Sequence, residues 1–297
     1  MEEIIKEGVL KLFDIEDQDI NIKSRLLGGM SNFTYIVDVD SKRYTYRIPG
    51  KNAEKFVDRK EEIANVSRVN HLGLNNDTLV LDMETGHKIA SYVEGKPLFE
   101  LGIEDYLERA GVLLRKLHNS KVKAYQEYKP LGRLGKYEKL ITDLGHIHKG
   151  EYKTLKEKFL FYFDFLDSTK KVFCHNDSQP SNFVIGKKDY LLDWEFAGNN
   201  DPLYDIACFG NIDFLHALSF LPVYLGREPK KDELKRVYLW RIFQCLQWYN
   251  VALYKDGIGL SEELKIDFNF VAKQYLIKIE GLFEGLEKII QDKKHKI

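Results

Sequence analysis

The stretch CHNDSQPSNFVIGKKDYLLDW occupies residues 174–194, and it groups polar side chains between short apolar runs. FVIG and YLLD have the alternation of two β-strands, and residues 186–189 (GKKD) have the composition of a turn between them. The stretch therefore predicts a β-hairpin, with polar residues on the loop before it and at its far end. Because a hairpin brings its two ends together, we expect Asn182 and Asp193 to be neighbours.

Asn182 and Asp193 together offer an amide oxygen and a carboxylate to a hard cation. Mg²⁺ binds few such protein ligands and takes the others from water and substrate phosphates. Asp177 precedes Asn182 by five residues, as the base aspartate precedes the metal-binding asparagine in the protein-kinase pattern, and Asp193 has the role of the DFG aspartate. We therefore predict phosphoryl transfer, with Asp177 accepting the proton of an attacking hydroxyl. A lone Asp or Asn would more simply cap a turn, and we expect His175 to hold the loop rather than to act as an acid or base.

The bulk composition is that of a soluble globular protein. The chain has 297 residues, of which 44% are apolar and 31% are charged, and this length suits one large domain or two lobes. The 45 Lys and Arg residues nearly cancel the 46 Asp and Glu residues. No global field therefore recruits nucleic acid or an anionic membrane surface.

The cysteines and the N-terminal residues indicate a cytoplasmic protein. Cys174, Cys208 and Cys245 form no CxxC pair, which favours a reducing compartment and argues against a disulfide or zinc framework. MEEIIKEGVLKLF predicts an amphipathic helix of mixed charge, without the long apolar run of a signal peptide or membrane span.

The first third of the chain predicts an antiparallel sheet with one helix. Strand patterns occur at residues 22–27, 33–40, 43–49, 78–82 and 88–93, and apolar residues from about Lys55 to His71 have near-helical spacing. Gly73 supplies a stop signal after that helix. A five-stranded lobe with one helix is therefore expected to end near residue 94.

The remainder of the chain predicts a helical lobe, interrupted by the hairpin described above. The expected helices are residues 106–117, 152–166, 206–220, 232–254 and 262–290. The fold class is therefore α+β, with a sheet-containing N-terminal lobe and a mostly helical C-terminal lobe.

HNDSQPSNF, followed by YLLDWEFAGNNDPLYDIA, resembles the choline and ethanolamine kinases, a branch of the aminoglycoside phosphotransferase-like kinases. LLGGMSNFTYIV, YTYRIPGKNAEKFVDRKEE and KIASYVEGKPL resemble the same family in the same order, so the resemblance covers about residues 20–255. Within this family, the sequence resembles the bacterial choline kinases. The resemblance implies a bilobal protein-kinase-like fold with lobes at residues 1–94 and 95–297. It also implies ATP and Mg²⁺ as cofactors.

The resemblance assigns nucleotide-binding roles in the N-terminal lobe. Residues 27–32 (LGGMSN) would be the turn that covers the phosphates, so that Gly29, Ser31 and Asn32 approach the nucleotide. Arg47 would take the place of the phosphate-binding lysine, with Glu62 as its ion-pair partner and Glu61 as the alternative. Residues 89–94 would be the hinge that reads adenine, with Tyr92 nearby. Asp205 would brace the catalytic loop through its backbone, although it could equally cap the helix that follows it.

The acceptor is expected to be a small amino alcohol, and choline is favoured. A quaternary ammonium is best held by aromatic faces with acidic groups nearby. The residues expected to contribute are Asp177, Glu195, Asp201, Tyr204 and Trp248, with Trp240 and Tyr249 on the same helix as Trp248. Choline kinases usually have a WxxW pair here, with rings about 60° apart around the helix axis, but Val251 stands where the second tryptophan is expected.

Several alternatives remain open from the sequence. The same machinery could phosphorylate ethanolamine, thiamine or another hydroxylated amine, or an aminoglycoside, although the aromatic helix weighs against the last. A nucleotide-binding pseudokinase is the non-enzymatic alternative, and the joint presence of Asp177, Asn182 and Asp193 weighs against it. His146 and His148 in HIH have no nearby third ligand in the sequence, so we expect them to be structural rather than a metal site.

Overall fold

The computed structural model describes residues 2–13, 20–26, 32–148 and 150–292. The chain divides into two compact units. The first unit contains Met1–Leu117, Lys121–Tyr125 and Pro180–Ala197, and the second contains His118–Ser120, Gln126–Gln179 and Gly198–Ile297. These boundaries differ from the expected lobes at residues 1–94 and 95–297, which stay a prediction.

The strands are β1 (Ile20–Leu26), β2 (Asn32–Val39), β3 (Lys42–Pro49), β4 (Thr78–Leu81), β5 (Lys88–Ser91), β6 (Lys96–Pro97), β7 (Val172–Cys174), β8 (Phe183–Ile185), β9 (Tyr190–Leu191) and β10 (Gly198–Asn200). The helices are α1 (Glu2–Leu12), α2 (Arg59–Asn70), α3 (Leu107–His118), α4 (Pro130–Asp143), α5 (Gly150–Leu160), α6 (Phe163–Asp167), α7 (Pro202–Phe209), α8 (Phe214–Leu225), α9 (Lys231–Gly257), α10 (Leu260–Leu264) and α11 (Phe268–Gln291). None of the described helices is long and apolar enough to cross a membrane.

The first unit is built on a five-stranded antiparallel sheet of order β1-β2-β3-β5-β4, which confirms the predicted fold class together with the helical C-terminal part. Helix α1 buries Ile5 and Val9, one turn apart, among the sheet residues Val37 and Tyr46. Gly8 permits this close approach, because a Cβ at that position would lie 2.0 Å from the Tyr46 hydroxyl. The sheet is thus closed on one side by a helix that needs a glycine at the contact.

Helix α2 begins later than the sequence pattern suggests. It starts after Asp58, whose side chain accepts a hydrogen bond from the backbone N–H of Glu61 at 3.1 Å. Such an N-cap satisfies one of the N–H groups that a helix leaves unpaired at its start. Gly73 follows the helix in the left-handed region with φ +61°, as expected for a stop signal.

The hairpin predicted from the opening stretch is present in the first unit. β8 and β9 pair antiparallel, with Phe183 opposite Leu191. Beyond this pair, the backbone N–H of Leu192 donates to the carbonyl of Asn182 at 2.8 Å. Asn182 therefore lies opposite the residue that precedes Asp193, which confirms that the two ends of the hairpin meet.

The second unit is mostly helical, with a two-stranded sheet of β7 and β10. Three predicted helices are each divided in two, and α4 was not predicted. The expected helix 206–220 is interrupted between α7 and α8, where Asp213 caps the new helix by accepting from Leu215 N at 2.9 Å. The expected helix 262–290 is divided by Lys265, which has φ 56°. Local capping thus overrides a continuous apolar period.

Candidate active site

Arg47 on β3 forms the centre of a buried ion-pair cluster in the first unit. Its two terminal nitrogens lie 2.8 Å and 3.1 Å from the two carboxylate oxygens of Glu62 on α2. Both side chains are buried, and it is Glu62 rather than Glu61 that faces Arg47. Arg47 also donates to the Gly86 carbonyl at 3.3 Å. A planar guanidinium whose two terminal nitrogens both contact one carboxylate has little freedom to rotate. The orientation of the Arg47 side chain is therefore fixed.

Two further carboxylates join this cluster. Asp193 Oδ1 lies 3.4 Å from Arg47 Nη1, and Glu195 Oε2 lies 3.8 Å from the same nitrogen. One oxygen of each of Glu62, Asp193 and Glu195 falls within 4.8 Å of the others. Three carboxylates so close together need cations nearby, which the protein supplies in part and a metal ion would supply further.

Arg59 and Lys88 are the basic residues of this cluster that the sequence did not reveal. Arg59 Nη1 donates to Glu62 Oε2 at 2.6 Å and lies 3.7 Å from Glu195 Oε2. Lys88 on β5 is paired in register with Arg47 on β3, and Lys88 is only 7% exposed. The only sequence signal was positional, since Arg59 precedes Glu62 by one helical turn.

The electrostatics of the cluster follow from burial and from these partners. Burial would raise the pKa of Glu62, but the charges and hydrogen bonds of Arg47 outweigh it, so that this pKa is lowered. Burial and the adjacent Asp193 charge raise the pKa of Glu195 to about 7, although Arg47 acts in the opposite direction. Burial also lowers the pKa of Lys88, as does the nearby Arg47 charge.

Asp193 has a backbone conformation that is unusual for a residue with a side chain. Its φ is +67°, in the left-handed region. Such a conformation is kept where the surroundings impose it, and it is common at functional sites. The next residue, Trp194, is fully buried and donates from Nε1 to the Leu191 carbonyl at 2.8 Å, so the turn that presents Asp193 is anchored in the core.

Two of the remaining predicted nucleotide-binding residues, Asn32 and Tyr92, lie in the described part of the chain. Gly29 and Ser31 lie outside the described residues. Asn32 is described, and its Nδ2 donates to Glu195 Oε2 at 3.2 Å, which links the end of the predicted phosphate turn to the carboxylate cluster. Tyr92 is half-buried, its ring lies 5.3 Å from the guanidinium of Arg43, and its N–H donates to the Arg43 carbonyl at 3.1 Å.

The loop that carries Asp177 belongs to the second unit and is organised by Asp205. The fully buried Asp205 carboxylate accepts from the backbone N–H groups of His175 at 2.8 Å and Asn176 at 2.7 Å. It also accepts from His118 Nε2 at 2.9 Å. These contacts provide the brace that the resemblance implies. The α7 N-cap, which was the alternative for Asp205, is Asp201 instead.

The pKa of Asp205 reflects the same contacts. Burial of the carboxyl would raise its pKa, but the hydrogen bond and charge of His118, with help from His175, outweigh burial and lower the pKa. His175 itself is fully buried, and its Nδ1 accepts from the backbone N–H of Asp177 at 3.2 Å. This geometry agrees with a loop-holding role for His175. On the other side of Asp177, Gln179 Nε2 donates to Oδ2 at 3.2 Å.

Asp201 and Tyr204, expected at the acceptor site, are already engaged within the second unit. The Asp201 carboxylate is 1% exposed, caps α7, and accepts from Arg236 and from Trp240 Nε1. The Tyr204 hydroxyl contacts the Tyr128 hydroxyl at 2.8 Å and donates to Gln247 at 3.0 Å. Direct contact with a substrate would require these bonds to be replaced, so the contacts favour structural roles for both residues.

The aromatic residues of α9 also separate by environment. Tyr249 is buried and its ring stacks on Tyr152 at 4.7 Å, and Val251 is buried as well. Trp248 is half-buried and so keeps an accessible surface. Tyr204 and Tyr249 are therefore buried in contacts with other side chains, whereas part of Trp248 is accessible.

The HIH histidines have structural contacts. The His148 ring stacks on Tyr152 at 4.5 Å, and its Nε2 lies 2.8 Å from Asn250 Oδ1. The ring of His146 packs edge-on against that of His148 at 5.8 Å. These contacts agree with the structural role expected from the sequence.

Comparison with known proteins shows which family the chain resembles. Residues 23–222 match the model of the choline/ethanolamine kinase family. The LicA protein of Haemophilus influenzae is 27% identical over 251 residues, covering 78% of this chain and 73% of LicA. A LicA homolog of Metamycoplasma hominis is 31% identical over 189 residues, covering 62% of this chain and 69% of that protein. The crystal structure of choline kinase LicA from Streptococcus pneumoniae matches with a TM-score of 0.74 and 25% identity, covering 93% of this chain and 97% of that one.

The family model covers well over half of the chain, and the matched segment contains both the carboxylate cluster and the braced loop. Family membership also agrees with the phosphoryl-transfer chemistry predicted from Asp177, Asn182 and Asp193. The protein accordingly binds a nucleotide and a small-molecule substrate. The chain belongs to the choline/ethanolamine kinase family and is a phosphotransferase with an alcohol group as acceptor.

Proposed function

We propose that the protein is an ATP- and Mg²⁺-dependent choline kinase that produces phosphocholine. The observation that carries this proposal is the buried cluster of Arg47 with Glu62, Asp193 and Glu195, which has the charge and the oxygen donors for a metal–nucleotide complex. The choice of choline rests on the similarity to the choline kinase LicA of Streptococcus pneumoniae and on Trp248, which is only half-buried.

The donor set fits magnesium. Asp193 and Glu195 offer hard carboxylate oxygens. Asn182, whose backbone carbonyl accepts from Leu192 N across the hairpin, would add an amide oxygen. We assign Asn182 and Asp193 as metal ligands, with Glu195 as an additional acidic group. When bound, the metal ion neutralises charge on the phosphates that approach it.

The protein residues carry the other parts of the reaction. Arg47, oriented by Glu62, binds the phosphates of ATP. Asp177 accepts the proton of the choline hydroxyl while the oxygen of that hydroxyl forms a bond to the γ-phosphorus of ATP. The bond from that phosphorus to the β,γ-bridging oxygen breaks, and ADP leaves with the bonding pair. Positioning by the braced loop accounts for much of the rate, because catalysis of phosphoryl transfer depends mainly on positioning and electrostatic stabilisation.

We propose the lobes at residues 1–94 and 95–297 as the nucleotide-binding and acceptor-binding parts, and the cytoplasm as the location. Cys174, Cys208 and Cys245 are all free and buried. Unpaired cysteines agree with a reducing compartment.

Ethanolamine is the second candidate acceptor. The family includes ethanolamine kinases by its description, and the buried Tyr249 and Val251 leave Trp248 without an aromatic neighbour from its own helix turn. A single aromatic face is a weaker trap for a quaternary ammonium than a cage. A primary ammonium, which can donate hydrogen bonds, depends less on such a cage.

The proposal is tested by coupled ADP release from ATP and Mg²⁺ with choline, ethanolamine, thiamine and a panel of aminoglycosides. We expect the highest kcat/KM with choline, and loss of turnover when EDTA removes the metal. Asp177→Asn should lower kcat by about 10²–10⁴-fold, the usual contribution of a positioned general base. The matched control is Asp143→Asn, an exposed residue of α4. The proposal would be refuted if none of the amino alcohols supported ADP release, or if Asp177→Asn kept near-normal turnover.

A further inference from the structure

A chain of two side-chain amides reaches Asp177 from the end of α7. Asn211 follows α7 and donates from Nδ2 to Gln179 Oε1. Gln179 in turn donates from Nε2 to Asp177 Oδ2 at 3.2 Å. All three residues belong to the second unit, and only Asp177 was singled out by the sequence.

The direction of this chain is fixed by its end. An ionised carboxylate only accepts hydrogen bonds, so Gln179 has to present its NH₂ group to Asp177. The Gln179 oxygen then faces Asn211, which has to present its own NH₂ group in return. Reversal of either amide would set two acceptors or two donors against each other, so the polarity is imposed from Asp177 outward.

Asn211 is itself held by α9. Arg241, which is 3% exposed, donates from Nη2 to the Asn211 carbonyl at 3.1 Å and from Nη1 to Gln244 at 2.9 Å. The backbone N–H of Asn211 donates to the Cys208 carbonyl at 3.0 Å. The main chain of Asn211 is therefore anchored on both sides, which fixes the point from which its side-chain amide reaches Gln179.

The orientation of the Asn211 amide has a cost. Among the described residues, its Oδ1 is buried and accepts no hydrogen bond. An unsatisfied buried acceptor is unfavourable, and a simple packing role would give no reason for it. The cost is understandable if the opposite end of the amide has a task, which is to donate to Gln179.

We propose that Asn211 is a positioning residue for Asp177 and acts through Gln179. The inference rests on the proposed role of Asp177 as the base. The terminal torsion of an aspartate is broad, so a fixed donor on Oδ2 restricts the direction in which the carboxylate faces the acceptor hydroxyl. Because a misplacement of about 1 Å can cost roughly 100-fold in rate, loss of Asn211 should lower kcat by about 10–100-fold.

Two substitutions at the same position separate positioning from packing. Asn211→Ala removes the donor and lets the Gln179 amide turn. Asn211→Asp keeps the size but supplies an acceptor, so Gln179 turns its NH₂ group toward residue 211 and its oxygen toward Asp177. We expect kcat to fall in Asn211→Ala and to fall further in Asn211→Asp, with the KM for ATP within about twofold of wild type. Neither substitution adds volume, because Ala is smaller than Asn and Asp has the same size, so neither side chain is overpacked.

A double-mutant cycle tests whether Asn211 acts through Gln179. Gln179→Met removes the connecting amide at similar length. If the chain operates as proposed, adding Asn211→Ala to Gln179→Met causes no further loss of kcat, because coupled residues are not additive. The control is Asn269→Ala, an exposed asparagine that donates to Asp256, which should retain wild-type kcat.

The outcomes discriminate between this inference and the proposed function. Additive losses in the cycle, equal kcat for Asn211→Ala and wild type, or Asn211→Asp as active as Asn211→Ala would each overturn the positioning role. Thermal unfolding of every variant shows whether a loss of kcat merely follows a loss of folded protein. If Asp177→Asn keeps near-normal turnover, the proposed function fails; if Asp177→Asn is inactive while the Asn211 variants are normal, this inference alone fails.

Discussion

Replacing Asp205 by Asn should destabilise the protein and slow catalysis together, because one carboxylate supports the loop before Asp177. Asp205 Oδ1 accepts from Asn176 N, and Oδ2 accepts from His175 N and His118 Nε2. An asparagine keeps one acceptor oxygen. Its best orientation places the NH₂ group where Oδ1 was, which loses the bond to Asn176 and sets two donors against each other.

The size of the effect follows from this count. A hydrogen bond to a charged group contributes about 1.5–3 kcal/mol, and an unsatisfied buried donor costs about 1–3 kcal/mol. The substitution removes one hydrogen bond and takes the negative charge away from the acceptor of the two that remain. Together these losses should lower the free energy of unfolding by about 2–4 kcal/mol. At about 2–4 °C per kcal/mol, Tm should fall by about 5–15 °C. We expect kcat to fall at least about tenfold, since the Asn176 backbone is directly attached to Asp177.

The assay is thermal unfolding together with coupled ADP release, and the matched control is Asp213→Asn. Asp213 caps α8, and Asn is as good an N-cap as Asp, so Tm should change by less than about 1 °C.

The stability that Asp205 contributes should also depend on pH, because the pKa of Asp205 is lowered in the folded protein. Its stabilisation is therefore fully present above the unfolded pKa of about 3.9 and is lost as pH falls through the folded pKa. A Tm within 2 °C of wild type at neutral pH with normal kcat would refute the brace.

Arg47→Lys should raise the KM for ATP about tenfold, because an ammonium cannot hold both oxygens of Glu62 as the guanidinium does; an unchanged KM in steady-state kinetics would contradict the phosphate role. Trp248→Ala should raise the choline KM more than the ATP KM, since Trp248 is only half-buried and an aromatic ring can bind a quaternary ammonium. Equal effects on the two constants would assign the ring to the core. Gly8→Ala should lower stability by about 1–3 kcal/mol despite the better helix propensity of Ala, because the new Cβ meets the Tyr46 hydroxyl. Chemical denaturation measures the change, and a stabilised variant would disprove the close contact.

The sheet and the hairpin could be predicted because their signals are local. Alternation of apolar and polar residues marks β2 and β3, and turn residues between apolar runs mark β8 and β9. Helix ends were less accessible. Asp58 and Asp213 start their helices through side-chain hydrogen bonds to the backbone, and an aspartate in the sequence can as easily occur inside a helix or a loop. The continuous apolar period therefore predicted fewer and longer helices than the chain forms.

The charged cluster around Arg47 shows that buried charged residues are also hard to predict from the sequence. Asp193 is assigned from the hairpin and the protein-kinase pattern, and Arg47 and Glu62 are assigned through the resemblance. Arg59 and Lys88 are not, because most lysines and arginines are exposed. Burial of a charge depends on partners from other elements, and these are distant in sequence. Lys88 meets Arg47 only through the pairing of β3 with β5.

The aromatic residues of α9 show why the acceptor is not chosen by one helix. Successive residues turn about 100° around a helix axis, so Trp240 and Trp248 are separated by about 80° and Tyr249 lies a further 100° on. The contacts agree, since Trp240 donates to Asp201 and Tyr249 stacks on Tyr152, while Trp248 is only half-buried. With Trp240 and Tyr249 engaged in these contacts, the three rings do not form a cage on one helix. The rest of an ammonium-binding site has to come from other elements, so a change of acceptor is best sought in variants that combine Trp248 with residues outside α9.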